Sequence, residues 1–240
     1  MELVHNEFIN QKKNRQEDGV IDLKKFRKEI LFKNVDFTYN NSKKIVLDQI
    51  SLRIPSRTSI AIVGGSGAGK TSLVDLITLI NRPDNGELKI DGVPHSQIKK
   101  STWQNQIGYV SQDTIIFDDT IANNISMWQS KKSKDELYQN IKNAAKQANI
   151  LDFIESLPDG FDTIVGDRGI LLSGGQKQRI FIARELYRKP NLLILDEATI
   201  ALDSEAEKSI QNSVDLLKGK ITVIIIAHRL STIKSVDNIF

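Results

Sequence analysis

The residues with the clearest capacity for chemistry lie in the segment GGSGAGKT, residues 64–71. An apolar run precedes this segment, and a stretch with apolar residues at helical spacing follows it. The segment fits the pattern G-x-x-x-x-G-K-[ST], in which glycines let successive backbone N–H groups point at phosphate oxygens. Lys70 would reach the β- and γ-phosphates, and Thr71 would offer its hydroxyl to Mg²⁺. A chance glycine-rich turn is the alternative, but the strand–loop–helix context favours a nucleotide site.

Two adjacent acids, Asp196 and Glu197, follow the apolar run LLIL. Such a run predicts a buried strand, and α/β sheets bind ligands at the carboxyl ends of their strands. Asp196 is therefore expected to hold Mg²⁺ through water, and Glu197 to polarise an attacking water as a general base. Taken alone, paired acids fit a helix N-cap equally well. The glycine loop makes the catalytic interpretation the stronger one.

Strands and helices are predicted to alternate along most of the chain, and these elements position the glycine loop and the two acids. The stretches ILFKNVDFTY and IVLDQISLRI predict strands, and SIAIVG, NLLILDEA and ITVIIIAH predict apolar strands separated by helices. Nearly continuous apolar strands indicate a parallel sheet covered on both faces. Residues 133–157 predict a helical region, with Ser133 as the N-cap and Glu136 completing a capping box.

Composition excludes several classes of protein. The 240 residues are 40% hydrophobic and 26% charged, which suits a globular protein with a sizeable core. No run of eighteen apolar residues predicts a membrane span, and no cysteine is present for a disulfide or a thiolate metal site. The net charge of +3, without a basic patch of interleaved aromatics, does not favour nucleic acid.

The first residues differ in character from the rest. Residues 1–29 are polar and rich in lysine and arginine, and they predict a linker. A segment held near anionic lipid headgroups is the alternative.

The most specific motif is LSGGQ, residues 172–176, a glycine turn that opens a predicted helix. Here the sequence resembles the nucleotide-binding (ATPase) domains of ABC transporters, whose signature this is. The resemblance runs from about Ile30 to the end of the sequence, and the motifs occur in the family's order. It implies an α/β fold with a P-loop NTPase (RecA-like) core and a mostly parallel sheet. An N-terminal antiparallel β subdomain and a helical subdomain inserted at about residues 115–185 would complete it.

The resemblance also assigns roles to individual residues. Tyr39 matches the aromatic that stacks on adenine, although a strand aromatic packing on the sheet is the alternative. Gln112 matches the glutamine that contacts the metal and the water and senses the membrane domain. Asp203 matches a loop that crosses to the partner subunit, and His228 a histidine that contacts the γ-phosphate. The expected catalytic residues are Glu197, His228, Gln112 and Lys70, and the expected metal ligands are Thr71, Gln112 and Asp196. The expected nucleotide-binding residues are Tyr39, Gly64, Gly65, Ser66, Gly67, Ala68, Gly69, Lys70, Thr71, Ser72, Ser173, Gly174, Gly175, Gln176 and Asp203.

The partners follow from the same resemblance. Family members work as head-to-tail dimers, in which the signature of one copy closes over ATP bound to the P-loop of the other. An intact Glu197 and an intact signature favour a homodimer over a heterodimer. ATP and Mg²⁺ are the expected ligands, and the transmembrane domain of the same transporter is the expected second partner. The domain would then work at the cytoplasmic face of the membrane, and no nucleic acid is expected.

Two segments resemble the exporter branch: IIFDDTIANNI, and TIVGDRG just before the signature. Ile164 stands where exporters usually have Glu, which leaves its polar contacts to the membrane domain undecided. Ile200 stands where they usually have Ser, which leaves the contacts of that loop across the dimer undecided. After DNIF the family normally continues with a strand and a helix, so we expect residues 30–240 to be a domain truncated at its C-terminus. A non-transport ABC ATPase of DNA maintenance or translation is the competing interpretation.

Overall fold

The computed structural model describes residues 18–39, 44–111, 115–129, 133–196, 204–227 and 236–240. In this part of the chain the strands form two sheets, one antiparallel and one parallel. This agrees with the predicted α/β fold with a separate antiparallel β subdomain.

The antiparallel sheet consists of β1 (Glu29–Thr38), β2 (Ile45–Pro55), β4 (Asn85–Ile90) and β5 (Val93–Pro94). The strands lie in the order β2-β1-β4-β5. In β1 the buried residues alternate at Ile30 and Phe32 and then shift phase to Val35 and Phe37. The register shifts between Phe32 and Val35, and Asn34 there has a positive φ of 49°. This irregularity keeps both halves of the strand facing the core.

The parallel sheet consists of β3 (Ser59–Val63), β6 (Ile107–Val110), β7 (Leu192–Asp196), β8 (Thr222–Ala227) and β9 (Asn238–Ile239). The strands lie in the order β6-β7-β8-β3-β9. Alternate residues enter two different cores: in β7, for example, Leu192 and Ile194 face one and Leu193 and Leu195 the other. The predicted parallel sheet, buried on both faces, is therefore confirmed.

Different elements cover the two faces. The antiparallel sheet, α1 (Lys70–Ile77) and Trp103 of α2 (Lys100–Gln104) share one core with the parallel sheet. On the other face, α6 (Gly174–Tyr187) and α7 (Ser204–Leu217) pack with the helical region between β6 and α6. Both motif-bearing helices, α1 and α6, therefore rest on the same sheet from opposite sides.

The inserted helical region consists of α3 (Ile121–Ser126), α4 (Lys134–Gln147) and α5 (Leu151–Ser156). Ser133 is the N-cap of α4 as predicted, since its hydroxyl accepts a hydrogen bond from the Glu136 N–H at 3.3 Å. The predicted helical region is not one continuous helix: it breaks at Asn149, which has a φ of 53°. The break lets Ile150 and Ile154 turn into the core, where both are buried.

The segment before β1 packs on the domain from Ile21 onward. Ile21 pairs with Ile98, and the side chains of Leu23 and Phe26 are buried. The Gln106 amide accepts the Phe26 N–H at 2.8 Å and donates to the Leu23 carbonyl. The described part of the predicted linker is therefore packed on the domain. Its two apolar residues, three positions apart, are buried in the core, while the neighbouring lysines are exposed.

No helix in the described ranges combines the length and the apolar character that crossing a bilayer requires.

Candidate functional site

The glycine loop between β3 and α1 is shaped by its own lysine. Lys70 Nζ donates to the carbonyl oxygens of Gly64 at 2.9 Å and Gly65 at 3.0 Å, and its side chain is buried. Residues 64–68 of the loop are exposed. A cationic group is thus drawn into the centre of an open backbone loop, which suits an anionic ligand.

Two glycines of this loop adopt backbone conformations that other residues rarely take. Gly67 has a φ of 76° and Gly69 a φ of 91°. A Cβ at Gly69 would lie 2.8 Å from Leu47 Cδ2 and 3.1 Å from the Val46 carbonyl oxygen. Gly69 is the N-cap of α1 and offers no side-chain hydrogen bond to the helix. The first N–H groups of α1 are therefore left for a ligand at the positive end of the helix.

Tyr39, directly after β1, reaches this helix. Its hydroxyl lies 2.9 Å from Ser72 Oγ and donates to Asp75 Oδ2 at 3.4 Å. Its ring packs edge-on against Phe37, with the centroids 4.9 Å apart, and 40% of the residue is exposed. The structure therefore joins Tyr39 to the glycine-loop helix through its hydroxyl and keeps part of the ring accessible.

Asp196 ends β7 at the same edge of the sheet as the glycine loop. In the register of the parallel sheet, Asp196 pairs with Ile226 of β8, and Val63 at the end of β3 pairs with Ala227. Two strand spacings, roughly 10 Å, therefore separate the chain at Asp196 from the start of the loop.

The carboxyl group of Asp75 lies close enough to Asp196 to sense its charge. Burial raises the pKa of Asp75, and the negative charge of Asp196 raises it further, while hydrogen bonds from Tyr39 and Asn81 act in the opposite direction. A cation between the two carboxyl groups would relieve this repulsion.

Sequence reasoning missed Tyr109 on β6 as a partner of Asp196. The Tyr109 hydroxyl donates to Asp196 Oδ2 at 2.5 Å. The Tyr109 ring also lines a groove of about 450 Å³ with Val74 and Ile107. A polar aromatic inside an otherwise apolar edge strand was the signal available in the sequence.

Some of the described residues in this region could serve as ligands for a metal ion. No group of three or more His, Cys, Asp or Glu side chains forms a metal cluster within the described residues. Two of the oxygen donors that the described chain offers here are the hydroxyl of Thr71, which is exposed, and the carboxylate of Asp196 at the end of β7. Mg²⁺ needs few protein ligands because it keeps several waters and binds phosphate oxygens, so these residues fit that ion.

The signature segment caps its own helix. The Ser173 hydroxyl accepts from the Gln176 N–H at 3.3 Å, and Gln176 Oε1 accepts from the Ser173 N–H at 2.8 Å. The spacing S-x-x-Q carries this capping box, which sequence reasoning overlooked. Ser173 retains its own O–H as a donor.

The signature lies apart from the glycine loop of the same chain. No hydrogen bond or ion pair joins residues 172–176 to residues 64–72 within the described ranges. Glu185 near the C-terminal end of α6 accepts the Tyr109 N–H at 3.4 Å. Gly174 starts the helix eleven residues earlier, about 16 Å away along the helix axis. Within the described part of one chain no hydrogen bond joins the loop to Ser173, Gly174, Gly175 or Gln176, and their helix α6 lies on the opposite face of the parallel sheet from α1.

Arg184 of α6 is a second residue that sequence reasoning missed. Its buried guanidinium donates to the Asn124 carbonyl at 2.7 Å, the Ile115 carbonyl at 2.8 Å and Asn124 Oδ1 at 3.1 Å. It also lies 5.4 Å and 5.0 Å from the ring centroids of Phe117 and Phe181. The signal was its spacing of four from buried Ile180, which places it on the core-facing stripe. Arg184 ties the segment after Gln112 to the signature helix.

Four predicted site residues and one noted departure lie outside the described residues: Gln112, Glu197, Asp203 and His228, and Ile200.

The sequence is similar to proteins of known families. The family described as "ABC transporter" matches residues 47–200. The "ATP-dependent lipid A-core flippase" of Haemophilus influenzae (strain 86-028NP) is 47% identical over 209 residues, which cover 87% of this chain and 35% of that protein. The "ATP-binding cassette sub-family B member 10, mitochondrial" of Mus musculus is 45% identical over 222 residues, covering 92% of this chain and 31% of that protein.

A solved structure agrees with these relatives. It is described as a bacterial Atm1-family ABC exporter with ATP bound, and its TM-score is 0.78 at 35% sequence identity. It covers 99% of this chain, and this chain covers 42% of it. The chain thus spans about a third of the length of these two relatives and less than half of the exporter chain. The motifs, the fold and these similarities together show that the chain belongs to the ABC transporter family.

Proposed function

We propose that this domain binds ATP on the glycine loop and hydrolyses it to power an exporter or flippase at the cytoplasmic face of a membrane. The observation that carries the proposal is the loop of residues 64–69, which surrounds the Lys70 ammonium and leads into a helix without a side-chain cap. Both features place N–H donors and positive charge where a polyphosphate would bind.

Individual contacts follow from this geometry. Lys70 uses two of its three N–H donors on loop carbonyls and keeps one for the β- or γ-phosphate. The partly exposed ring of Tyr39 would stack on adenine, held in place by its hydroxyl contact with Ser72. Ser72 and the loop residues complete the proposed phosphate cradle.

Mg²⁺ is part of the proposal. The Thr71 hydroxyl and the Asp196 carboxylate would hold the ion, with Gln112 as a further ligand. The ion supplies neutralisation of the phosphate charge. Burial is the main reason that the pKa of Asp75 is raised, and the nearby charge of Asp196 adds a smaller contribution in the same direction.

Hydrolysis requires an activated water. We place Glu197 as the base that accepts a proton from the water as the water oxygen bonds to the γ-phosphorus. The bond from the γ-phosphorus to the bridging oxygen breaks, and that oxygen leaves with ADP. His228 and Gln112 would orient the phosphate and the water, which is mainly a positioning effect.

A head-to-tail dimer accounts for the separate signature. Among the described residues, no hydrogen bond joins residues 172–176 to the glycine loop of their own chain, and in the proposed dimer they would meet the loop of a second copy. The Ser173 O–H and the first turn of α6 would then face the γ-phosphate bound to the partner, and Asp203 would lie in the crossing loop. An intact Glu197 and signature favour two identical subunits.

The second proposed partner is a membrane domain of the same transporter. Several large apolar side chains near the signature are exposed: Ile164 at 61%, Ile170 at 77% and Leu171 at 72%. Exposed apolar clusters of this kind mark interaction surfaces. Ile164, in the exporter-like loop, would make an apolar contact where a Glu would make a polar one.

The experiment that tests the proposal is the Mg²⁺-dependent ATPase rate per subunit, measured against protein concentration. Wild type, Glu197→Gln and Glu155→Gln are compared. Glu155 is a matched control because it is an exposed carboxylate paired with Lys142 at 2.6 Å, far from the site in sequence. We expect the rate to climb with concentration, to fall at least 100-fold in Glu197→Gln and to be unchanged in Glu155→Gln.

Other outcomes would contradict parts of the proposal. A rate per subunit that does not depend on protein concentration would contradict an active site formed by two subunits. Normal turnover by Glu197→Gln would assign the base to another residue. A wild type that binds no ATP in the presence of Mg²⁺ would overturn the proposed function itself.

A further inference from the structure

The hydrogen bond between Tyr109 and Asp196 connects the edge strand of the parallel sheet to the proposed metal site. Asp196 ends β7, and Tyr109 lies on the neighbouring strand β6, opposite Ile194. The Tyr109 hydroxyl donates to one carboxylate oxygen, Oδ2, at 2.5 Å. The carboxylate keeps further lone pairs, on Oδ1 above all, with which Asp196 could meet a cation.

Tyr109 is itself held firmly enough to orient a neighbour. Its backbone belongs to the ladder between β6 and β7, and its N–H donates to Glu185 Oε2 of α6 at 3.4 Å. Glu185 is in turn paired with Arg188 at 3.2 Å. Tyr109 is half-buried, packs against the core beneath the sheet, and lines the same groove as Val74 and Ile107. The hydroxyl therefore projects from a backbone fixed on two sides.

We propose that Tyr109 is a positioning residue for Asp196, whose hydroxyl fixes the rotation of the carboxylate and so raises the affinity of the site for Mg²⁺. The proposal rests on the function proposed above, in which Asp196 serves the ion. A donor that holds one oxygen of a metal-binding carboxylate typically contributes 10- to 100-fold in metal affinity. Tyr109 touches neither the nucleotide nor the ion in this role.

The hydroxyl rather than the ring carries the effect. Tyr109→Phe keeps the ring in the groove and removes only the donor to Asp196. Tyr109→Leu removes both, so it should weaken metal binding to the same degree. Tyr187→Phe is the matched control, because the buried Tyr187 hydroxyl has no hydrogen-bond partner among the described residues.

The experiment is a Mn²⁺ titration of the protein with a non-hydrolysable ATP analogue, followed by electron paramagnetic resonance of free Mn²⁺. The affinity for the same analogue is measured separately in EDTA, and thermal unfolding verifies that each variant is folded. For Tyr109→Phe and Tyr109→Leu we expect a 10- to 100-fold weaker Mn²⁺ affinity and an unchanged metal-free affinity. Tyr187→Phe should match wild type in both.

The outcomes separate the proposal from a general defect. A Mn²⁺ affinity of Tyr109→Phe within twofold of wild type would overturn it. An equal loss of metal-free nucleotide affinity would mean that Tyr109 supports the whole site rather than Asp196. A loss in Tyr109→Leu alone would assign the effect to the ring. A wild type without Mn²⁺-dependent binding of the analogue would instead refute the proposed function.

Discussion

The helices α1 and α6 both begin at a glycine-rich segment, but the N–H groups of their first turns are satisfied in different ways. Both leave N–H groups in the first turn without partners from the helix itself. At α1 the N-cap is Gly69, which brings no side chain, and the preceding loop wraps around the ammonium of Lys70. At α6, Ser173 and Gln176 form a capping box and satisfy each other.

The two helix N-termini therefore differ in how much a bound ligand could stabilise them. The start of α1 concentrates free donors and positive charge, so an anion there adds stabilisation that the chain does not supply. The start of α6 is stable by itself, and it presents exposed Ile170 and Leu171 beside the cap. In the proposed function, the start of α1 would bind phosphate, whereas the capping box would hold the start of α6 in shape before a second subunit meets it.

Substitution of Gly69 should have the largest effect on this difference. In Gly69→Ala the new Cβ would sit in the left-handed region and 2.8 Å from Leu47 Cδ2. We expect a loss of about 3 kcal/mol in the free energy of unfolding, from left-handed strain and overpacking together. Urea denaturation of the purified domain measures it.

Two neighbouring glycines separate these contributions. A Cβ at Gly67 meets nothing within 4 Å but shares the positive φ, so Gly67→Ala should show the strain alone, about 1 kcal/mol. Gly65 has neither feature, and Gly65→Ala should leave the unfolding free energy unchanged. Equal losses for all three variants would show that the loop is not held in this conformation.

The anchorage of α6 is tested by Arg184→Met. The substitution leaves the Asn124 and Ile115 carbonyls without their donor in a buried region, at a cost of about 2 kcal/mol. Arg53→Met is the matched control, since Arg53 is 70% exposed and pairs with Glu29 on the surface. It should change the unfolding free energy by less than about 1 kcal/mol. Equal effects of the two substitutions would argue against the buried network.

Of these substitutions, loss of the capping box at the start of α6 should lower the free energy of unfolding least. Ser173→Ala removes the acceptor for the Gln176 N–H and should lower the unfolding free energy by about 1 kcal/mol. Ser173→Gly should cost only a few tenths. Both are measured by urea denaturation without nucleotide. No loss in Ser173→Ala would mean that the signature needs another surface even to hold its shape.

Much of the fold could be predicted because its signals are local. Apolar runs ending in Asp196 or leading to Gly64 define the parallel strands and the edge at which they end, and the glycine spacing predicts the loop. The break at Asn149 and the burial of Leu23 and Phe26 were not predicted. In both cases distant residues decide the outcome: Ile150 turns toward a shared core, and Gln106 binds the backbone near Phe26.

The residues of the candidate site also fall into those predicted from the sequence and those found only in the structure. The sequence by itself determined the residue types that can bind phosphate and metal, because their spacing within one strand, loop and helix fixes them locally. Only the tertiary structure decided that Tyr109 meets Asp196 and that Arg184 binds the segment after Gln112. Each of these pairs residues far apart in sequence, so their contact depends on how strands and helices pack and on no motif within either segment.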